Sequence, residues 1–484
     1  MFRIQKPGRR GAVKAKEGPE QQAGGPSPDI KEGKGFLGSF RVLPDARRED
    51  KAQARIYIAP KYKMAISALF AVAWLGTSVY VALPWMRDLS VHFPAYLAWA
   101  LITGLALVPG MANAFVVSGL LMDRRPIFKA PAASTYPAVS VLIAAYNEEG
   151  SIASTLQSVL NQDYPSGLEV IVIDDGSKDR TAQIVSQVMS RNEDPAIRIK
   201  LKSLPQNRGK ANALNAGLKL ASHDYIVTLD ADSYLHANSL FNLVTHMIYS
   251  PVDTGAVAGC VLVRNSRANL LTKLQEWDYF HGISVVKRIQ SLYQGTLVAQ
   301  GAYSIFRRSV FRELGGWSDT MGEDIVLTWG MHSRRFRVGF AENAIVFTNV
   351  PETYGKFFKQ RRRWARGLVE AFIQHPEVIM KPRLNVPFIW YNLTFPFLDF
   401  IYLFGFVPGL IAAAVFRNYL IVGLMTFFLL PLAVLINGIM YSRQKQVFRR
   451  VGLKVRQNFV GFFVYMLPAD NDPGLAGRVC GGTA

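Results

Sequence analysis

Only two cysteines, Cys260 and Cys480, occur in 484 residues. That excludes a disulfide-stapled scaffold, and the pair lacks the spacing of a cysteine metal site. Two nucleotide signatures are also missing. No G-x-G-x-x-G follows the first buried run, and Gly209-Lys210 stands without the rest of a P-loop. No secretory leader is expected, because the first apolar block begins only at Met64, after a long polar arm. Negative charge is in short supply: 35 acidic residues face 55 basic ones, for a net charge of +20. Much of the basic excess borders apolar blocks, so it reports topology. A nucleic-acid partner would need basic residues interleaved with aromatics in a soluble module. No nucleic acid is expected.

What is plentiful is apolar sequence, half of the chain, gathered in blocks. Residues 64–85 carry no charge, and residues 96–118 repeat the pattern despite Pro109. Each can span a bilayer core, and together they predict a transmembrane hairpin over 64–118. Two further blocks, 386–416 and 419–440, predict transmembrane helices over 386–440. Residues 441–484 read as a basic segment, a short apolar piece at 459–468 and a polar tail. The piece at 459–468 is too short to span unless tilted or re-entrant. Residues 1–60 form a basic, Gly/Pro-rich arm expected to be disordered. Lys61, Lys63, Arg124, Arg125 and the Arg443–Arg456 cluster all lie on one side of this scheme. The positive-inside bias therefore puts the N-terminus and the central domain in the cytoplasm, in a multi-pass inner or plasma membrane protein. Asp399, inside the third block, either lines a path or sits at an interface.

Between the spans lies one polar stretch, residues 125–384. VSVLIAA, LEVIVID and DYIVTL are too apolar for surface strands and suit covered parallel strands. SIASTLQSVLNQ, TAQIVSQVMS and GKANALNAGLKLA alternate with them as helices. Strand–helix alternation predicts an open α/β sheet, with ligands beyond the carboxyl ends of the strands. Acids cluster at those ends. Asp174 and Asp175 close the second strand, and Asp174 suits a turn cap. Asp230 and Asp232 follow the third covered strand, spaced to share a hard cation and a diphosphate. Mg²⁺ or Mn²⁺ is the expected cofactor. Glu323-Asp324 opens a helical run, where a carboxylate either caps the helix or takes a proton from an attacking hydroxyl. Gln360 to Trp364 lies on a helix whose arginines suit a diphosphate or, alternatively, an anionic lipid surface.

These segments resemble, in order, the processive membrane-embedded family 2 glycosyltransferases. VSVLIAAYNEE, VIDDGSKD, GKANALNAG, LDADS, AQGAYSIFRR, MGEDIVLTW and VPETYGKFFKQRRRWARG carry the likeness over about residues 136–375. That family makes cellulose, hyaluronan and chitin oligosaccharides. The last segment is most similar to the poly-β-1,6-N-acetylglucosamine synthases. The resemblance implies a GT-A-like open sheet domain inserted between transmembrane helices. It implies that Ala144, Tyr146, Glu148 and Asp175 hold the uridine, with Lys210 beside the nucleotide. Asp230 and Asp232 would bind UDP and metal. Asp324 would be the general base. Arg361 and Arg363 would meet the diphosphate, while Gln300, Gly301, Gln360 and Trp364 would shape the acceptor end. The implied partners are a UDP-sugar donor, a growing polysaccharide or a lipid acceptor, the bilayer, and a small membrane accessory subunit. The implied reaction is inverting transfer of N-acetylglucosamine into a β-linked chain exported across the membrane. Transfer of one sugar to a lipid is the alternative.

Overall fold

The computed structural model describes residues 40–43, 55–123, 136–422 and 425–453. The expected short apolar piece at 459–468 and most of the N-terminal arm lie outside them. Within the arm, where no structure was expected, β1 (Phe40–Leu43) and β2 (Arg55–Ile58) pair antiparallel.

Among the described residues, three helices are long and apolar enough to cross a membrane. The first is α1 (Pro60–His92). The second joins α2 (Ala95–Ile102) and α3 (Val108–Leu121) through a π-turn at Thr103–Leu107. The third, Val386–Phe416, is continuous, so Asp399 falls near the middle of a helix and away from its ends. The second and third cross tightly. A Cβ on Gly104 would lie 2.8 Å from Ile401, and one on Gly405 would lie 2.7 Å from Leu101. Small residues permit such close approach between apolar helices, where packing supplies the attraction.

The central domain follows the expected alternation at first. β3 (Val139–Ala145), α4 (Ile152–Leu160), β4 (Leu168–Asp174), α5 (Thr181–Ser190), β5 (Ile197–Ser203), α6 (Lys210–Leu220) and β6 (Tyr225–Leu229) come in order. Strands β5, β4, β3 and β6 lie side by side and parallel. β3 and β4 are buried nearly throughout, as their unbroken Val/Ile runs require. Next come β7 (Tyr234–Leu235), α7 (Ser239–Ile248), β8 (Thr254–Val263), α8 (Leu270–Tyr279), α9 (Lys287–Leu292), β9 (Tyr303–Arg307) and α10 (Arg308–Leu314). Then follow α11 (Glu323–Ser333), β10 (Arg337–Thr348), α12 (Tyr354–Gln374), and the pair α13 (Val386–Ile401) and α14 (Val407–Phe416) that forms the third long helix. The described chain closes with α15 (Met425–Arg450), which runs unbroken from the fourth apolar block into the basic stretch. β9 enters the sheet antiparallel to both β6 and β8, so the eight-stranded sheet is mixed, in the order β5-β4-β3-β6-β9-β8-β10-β7.

Apolar residues cover both faces of this sheet. Ile152, Leu156 and Leu243 pack on one face, and Leu214, Phe311 and Trp317 on the other. A third cluster is shared with the membrane helices. Trp277, Ile289, Tyr293 and Trp329 of the domain pack with Leu120, Phe388 and Met440. Tyr293 is its centre, fully buried, with its hydroxyl 2.9 Å from Ser67 Oγ in α1. Its ring lies 5.5 Å from Phe115 in the second long helix and 6.1 Å from Phe388 in the third. Beside it, Arg288 pairs with Asp123 after α3, lies 3.8 Å from Glu342 on β10, and reaches Gln444 of α15 at 3.4 Å. Domain and membrane helices are thus joined by both apolar and ionic contacts.

Helices α11 and α12 meet backbone to backbone. A Cβ on Gly322 would sit 2.4 Å from the Gly367 Cα, and one on Gly367 would sit 2.6 Å from the Gly322 Cα. Backbone atoms cannot yield as a flexible side-chain end can. Gly367→Val should therefore push the helices apart at a cost of ~2 kcal/mol and lower the unfolding midpoint of the detergent-solubilised protein. An unchanged midpoint would show that the contact is not tight. Arg288→Met removes the cation that pairs with buried Asp123 and lies beside Glu342, and a loss of roughly 3 kcal/mol is expected in the same thermal assay.

Candidate active site

The carboxyl ends of β3, β4 and β6 converge on one cleft, the position expected for a ligand in an open α/β sheet. Tyr146 and Glu148 follow β3, and Tyr146 is 42% exposed there. Asn147 turns the chain with φ of 56°, its side chain accepting from Lys178 N–H at 2.9 Å. Glu148 anchors to the next loop through its own N–H, which donates to Thr181 Oγ1 at 2.8 Å. Burial, and more weakly Asp230 and Asp179, push its carboxyl above the ordinary value against the hydrogen bond from Ser151.

The two aspartates after β4 divide as their geometry dictates. Asp174 accepts from Ser177 N–H at 3.0 Å and so closes a turn. Asp175 accepts from Arg208 N–H at 3.0 Å and Gly209 N–H at 2.9 Å. Both its oxygens therefore shape the loop before α6. Gly209 has φ of 89°, which only glycine adopts without strain, and Lys210 then opens α6.

Lys210 is the hub of the site. Its ammonium pairs with Asp230 and lies 3.6 Å from Glu323 Oε1. Burial alone would push its pKa down, but Asp230, Glu323 and Asp324 outweigh burial and hold it above the ordinary lysine value. Gly301 explains its own identity here, since a Cβ would come within 2.7 Å of the Lys210 Nζ. Asp232 faces less compensation. Burial and the charges of Asp230 and Glu148 raise its pKa to about 6, while Thr348 Oγ1 on β10 lies 3.3 Å from its Oδ1.

Asp324 stands in the first turn of α11, half-buried. Its Oδ2 accepts from Gly301 N–H at 2.9 Å and its Oδ1 from Ile325 N–H at 2.8 Å. The strap carrying Gly301 is tied down along its length. Ala299 N–H donates to Thr328 Oγ1 at 2.9 Å, and Lys287 donates to the Val298 carbonyl at 2.9 Å and to the Gln300 amide oxygen.

Two of the expected site residues are engaged within the chain. The Gln300 side chain is buried and used internally, between Lys287 and the Gly259 carbonyl, so only the backbone of this strap approaches the cleft. Arg361 is 3% exposed and pairs with Asp278, with its guanidinium 4.4 Å from the Trp364 ring centre and 4.9 Å from that of Phe357. A cation already neutralised and desolvated is spent on positioning α12 and Trp364. Arg363 is exposed and forms no side-chain bond with the described residues. Gln360 Oε1 is buried with no hydrogen-bond partner among the described residues, a costly state unless a ligand donates to it. Trp364 packs 6.2 Å from Tyr279 on α8.

Sequence reasoning missed Lys287, Thr348, Asp278 and Tyr279. None stands in a motif, and Thr348 lies 116 residues from the carboxylate it holds. Among the described residues no group of three or more His, Cys, Asp or Glu side chains is arranged to hold a metal ion. Asp230 and Asp232 offer a partial, all-oxygen set that only ligand oxygens or water could complete.

Known proteins share these features. Residues 140–315 match the model of the glycosyl transferase family 2. Poly-beta-1,6-N-acetyl-D-glucosamine synthase of Staphylococcus epidermidis is 37% identical over 237 residues, 49% of this chain and 56% of that protein. The enzyme of that name from Staphylococcus aureus (strain MSSA476) is 35% identical over the same length. The match spans just over half the length of these curated relatives. The fold is that of a mannosyltransferase from Pyrobaculum calidifontis, solved with GDP-Man and Mn²⁺, at a TM-score of 0.53 and 22% identity over 72% of this chain and 94% of that one. Over its central α/β domain, the chain is similar to glycosyl transferase family 2 and to these synthases.

Proposed function

We propose that the protein is a membrane-embedded polysaccharide synthase that transfers N-acetylglucosamine, with inversion, from a UDP-sugar to a growing β-linked chain. The observation that carries this reading is the meeting of two carboxylate pairs at one ammonium. Lys210 joins Asp230, at the end of β6, to Glu323, at the start of α11. The first pair suits a diphosphate with its cation, and the second a reacting hydroxyl. The poly-N-acetylglucosamine synthases at 37% and 35% identity support the sugar and the polymer. The basic residues flanking the long helices support a cytoplasmic catalytic domain, with the product leaving across the bilayer.

In this mechanism Tyr146, Glu148 and Ala144 border the base and ribose, while Asp175 holds the loop that presents Lys210. Asp230 and Asp232 would hold Mg²⁺ or Mn²⁺, which when bound neutralises charge on the departing diphosphate. Arg363, exposed and unspent, reaches for the same phosphates. Asp324 takes the proton from the acceptor hydroxyl as that oxygen attacks the anomeric carbon opposite UDP. Gly301 N–H fixes the carboxylate's orientation for that task. The unpartnered Gln360 Oε1 accepts from an acceptor hydroxyl, and Trp364 offers its ring to the sugar.

The test is product length. Protein in lipid nanodiscs receives one UDP-sugar at a time with Mg²⁺ or Mn²⁺, and products are sized. Polymer from UDP-N-acetylglucosamine alone is expected, and a single addition to lipid would overturn synthesis of a chain. Asp324→Asn should lower kcat by about 10³-fold with little change in donor KM. Full turnover in that variant would remove Asp324 as the base. Chelation of divalent ions should abolish turnover, and Asp232→Asn should raise the metal concentration needed to restore it.

A further inference from the structure

Away from the cleft, a second cavity of about 500 Å³ opens where the domain meets the membrane helices. Tyr293, Gln294, Arg337, Arg383, Leu384 and Asn385 line it. Two contacts place it beside the starts of two long apolar helices. Tyr293 bonds Ser67, in the eighth position of α1, and Asn385 is followed at once by the third long helix. The apolar segments of both helices start beside the cavity.

Its charge is lopsided. Arg337 and Arg383 line it, and two further cations, Arg335 and Lys381, stand two residues before each of them in the chain. Asp253 faces both lining arginines and is bonded to Arg337 at 2.7 Å, while Glu377 stands near Lys381. Arg383 is half-buried and bonds backbone carbonyls: His332 at 2.9 Å, Phe336 at 3.1 Å and Arg335 at 2.5 Å. Lys381 donates to the Ser333 carbonyl at 2.6 Å. These two side chains thereby cap the C-terminus of α11. Capping accounts for their position, and Glu377 offsets part of the Lys381 charge, but the carbonyls do not cancel that of Arg383, because a carbonyl accepts a hydrogen bond without bearing a full charge. Arg383 still has N–H groups to give, since a guanidinium carries five. His332 adds no cation, since burial holds its pKa down at about 4.

We propose that this cavity binds a phosphate group at the membrane surface, carried on the headgroup of an anionic phospholipid. A phosphate oxygen matches the planar donors of Arg337 and Arg383. The apolar starts of α1 and α13 leave room for acyl chains to run into the bilayer beside them. Basic pockets between membrane helices on the cytoplasmic side select lipids in this way. A lipid so placed braces the C-terminal end of the helix that bears Asp324.

The test reads lipid retention, so its outcome is independent of any transfer reaction. Full-length protein is placed in phosphatidylcholine vesicles with spin-labelled phosphatidylglycerol or spin-labelled phosphatidylcholine, and the motionally restricted fraction is measured. Phosphatidylglycerol should be retained in excess. Gln294→Glu, which puts a carboxylate in the cavity without touching the α11 cap, should cut that excess to roughly half or less, as should Arg337→Gln. Equal retention of the two lipids by the unaltered protein would overturn the proposal, as would an excess unchanged in both variants. Inorganic [³²P]phosphate retained in place of lipid, and lost in Gln294→Glu, would overturn the lipid as source and leave free phosphate.

Discussion

Helix α11 is fixed at both ends, and the geometry of the cleft depends on it. At its start, Gly322 presses against Gly367 of α12, so Glu323 and Asp324 can stand only where two bare backbones allow. At its end, Lys381 and Arg383 hold the last carbonyls from the segment that becomes the third long helix. One rigid element therefore connects the membrane boundary to the carboxylate assigned as base. The same contact aligns α12, so Gln360 and Trp364 keep a set distance from Asp324 without any direct bond between them.

Charge in the cleft is arranged around a single lysine. Four carboxylates, Asp230, Asp232, Glu323 and Asp324, would repel one another if only solvent lay between them. Lys210 offsets that repulsion at one edge and leaves Asp232 as the least compensated member, with its pKa raised to about 6. A site poised this way favours cations. Gly301 is the steric counterpart: its missing side chain gives the ammonium its place.

The strand–helix alternation, the three long apolar helices and the position of the acids at strand ends were legible because each rests on local pattern. Period and composition reveal a buried strand such as VSVLIAA or a span such as 64–85. What stayed hidden depends on distant pairing. Asp278 neutralising Arg361, Lys287 consuming Gln300 and Thr348 reaching Asp232 leave no trace in spacing. Arg361 is instructive: a run of three arginines invites one reading for all, yet helical geometry turns one inward and its neighbours outward. The antiparallel entry of β9 was equally unreadable, since strand direction follows from connections and not from the residues of the strand.

Tyr293 bears on how the protein can be divided. The polarity of the chain invites a cut on either side of residues 125–384, as though a soluble enzyme had been set between anchors. The core does not respect that line. Tyr293, Ile289 and Trp277 share one packed cluster with Leu120, Phe388 and Met440, so the excised middle would carry an open greasy wound where the helices had been. The central domain and the long helices share one core, and a domain borrowed from a soluble protein would have to bring its own substitute for that face.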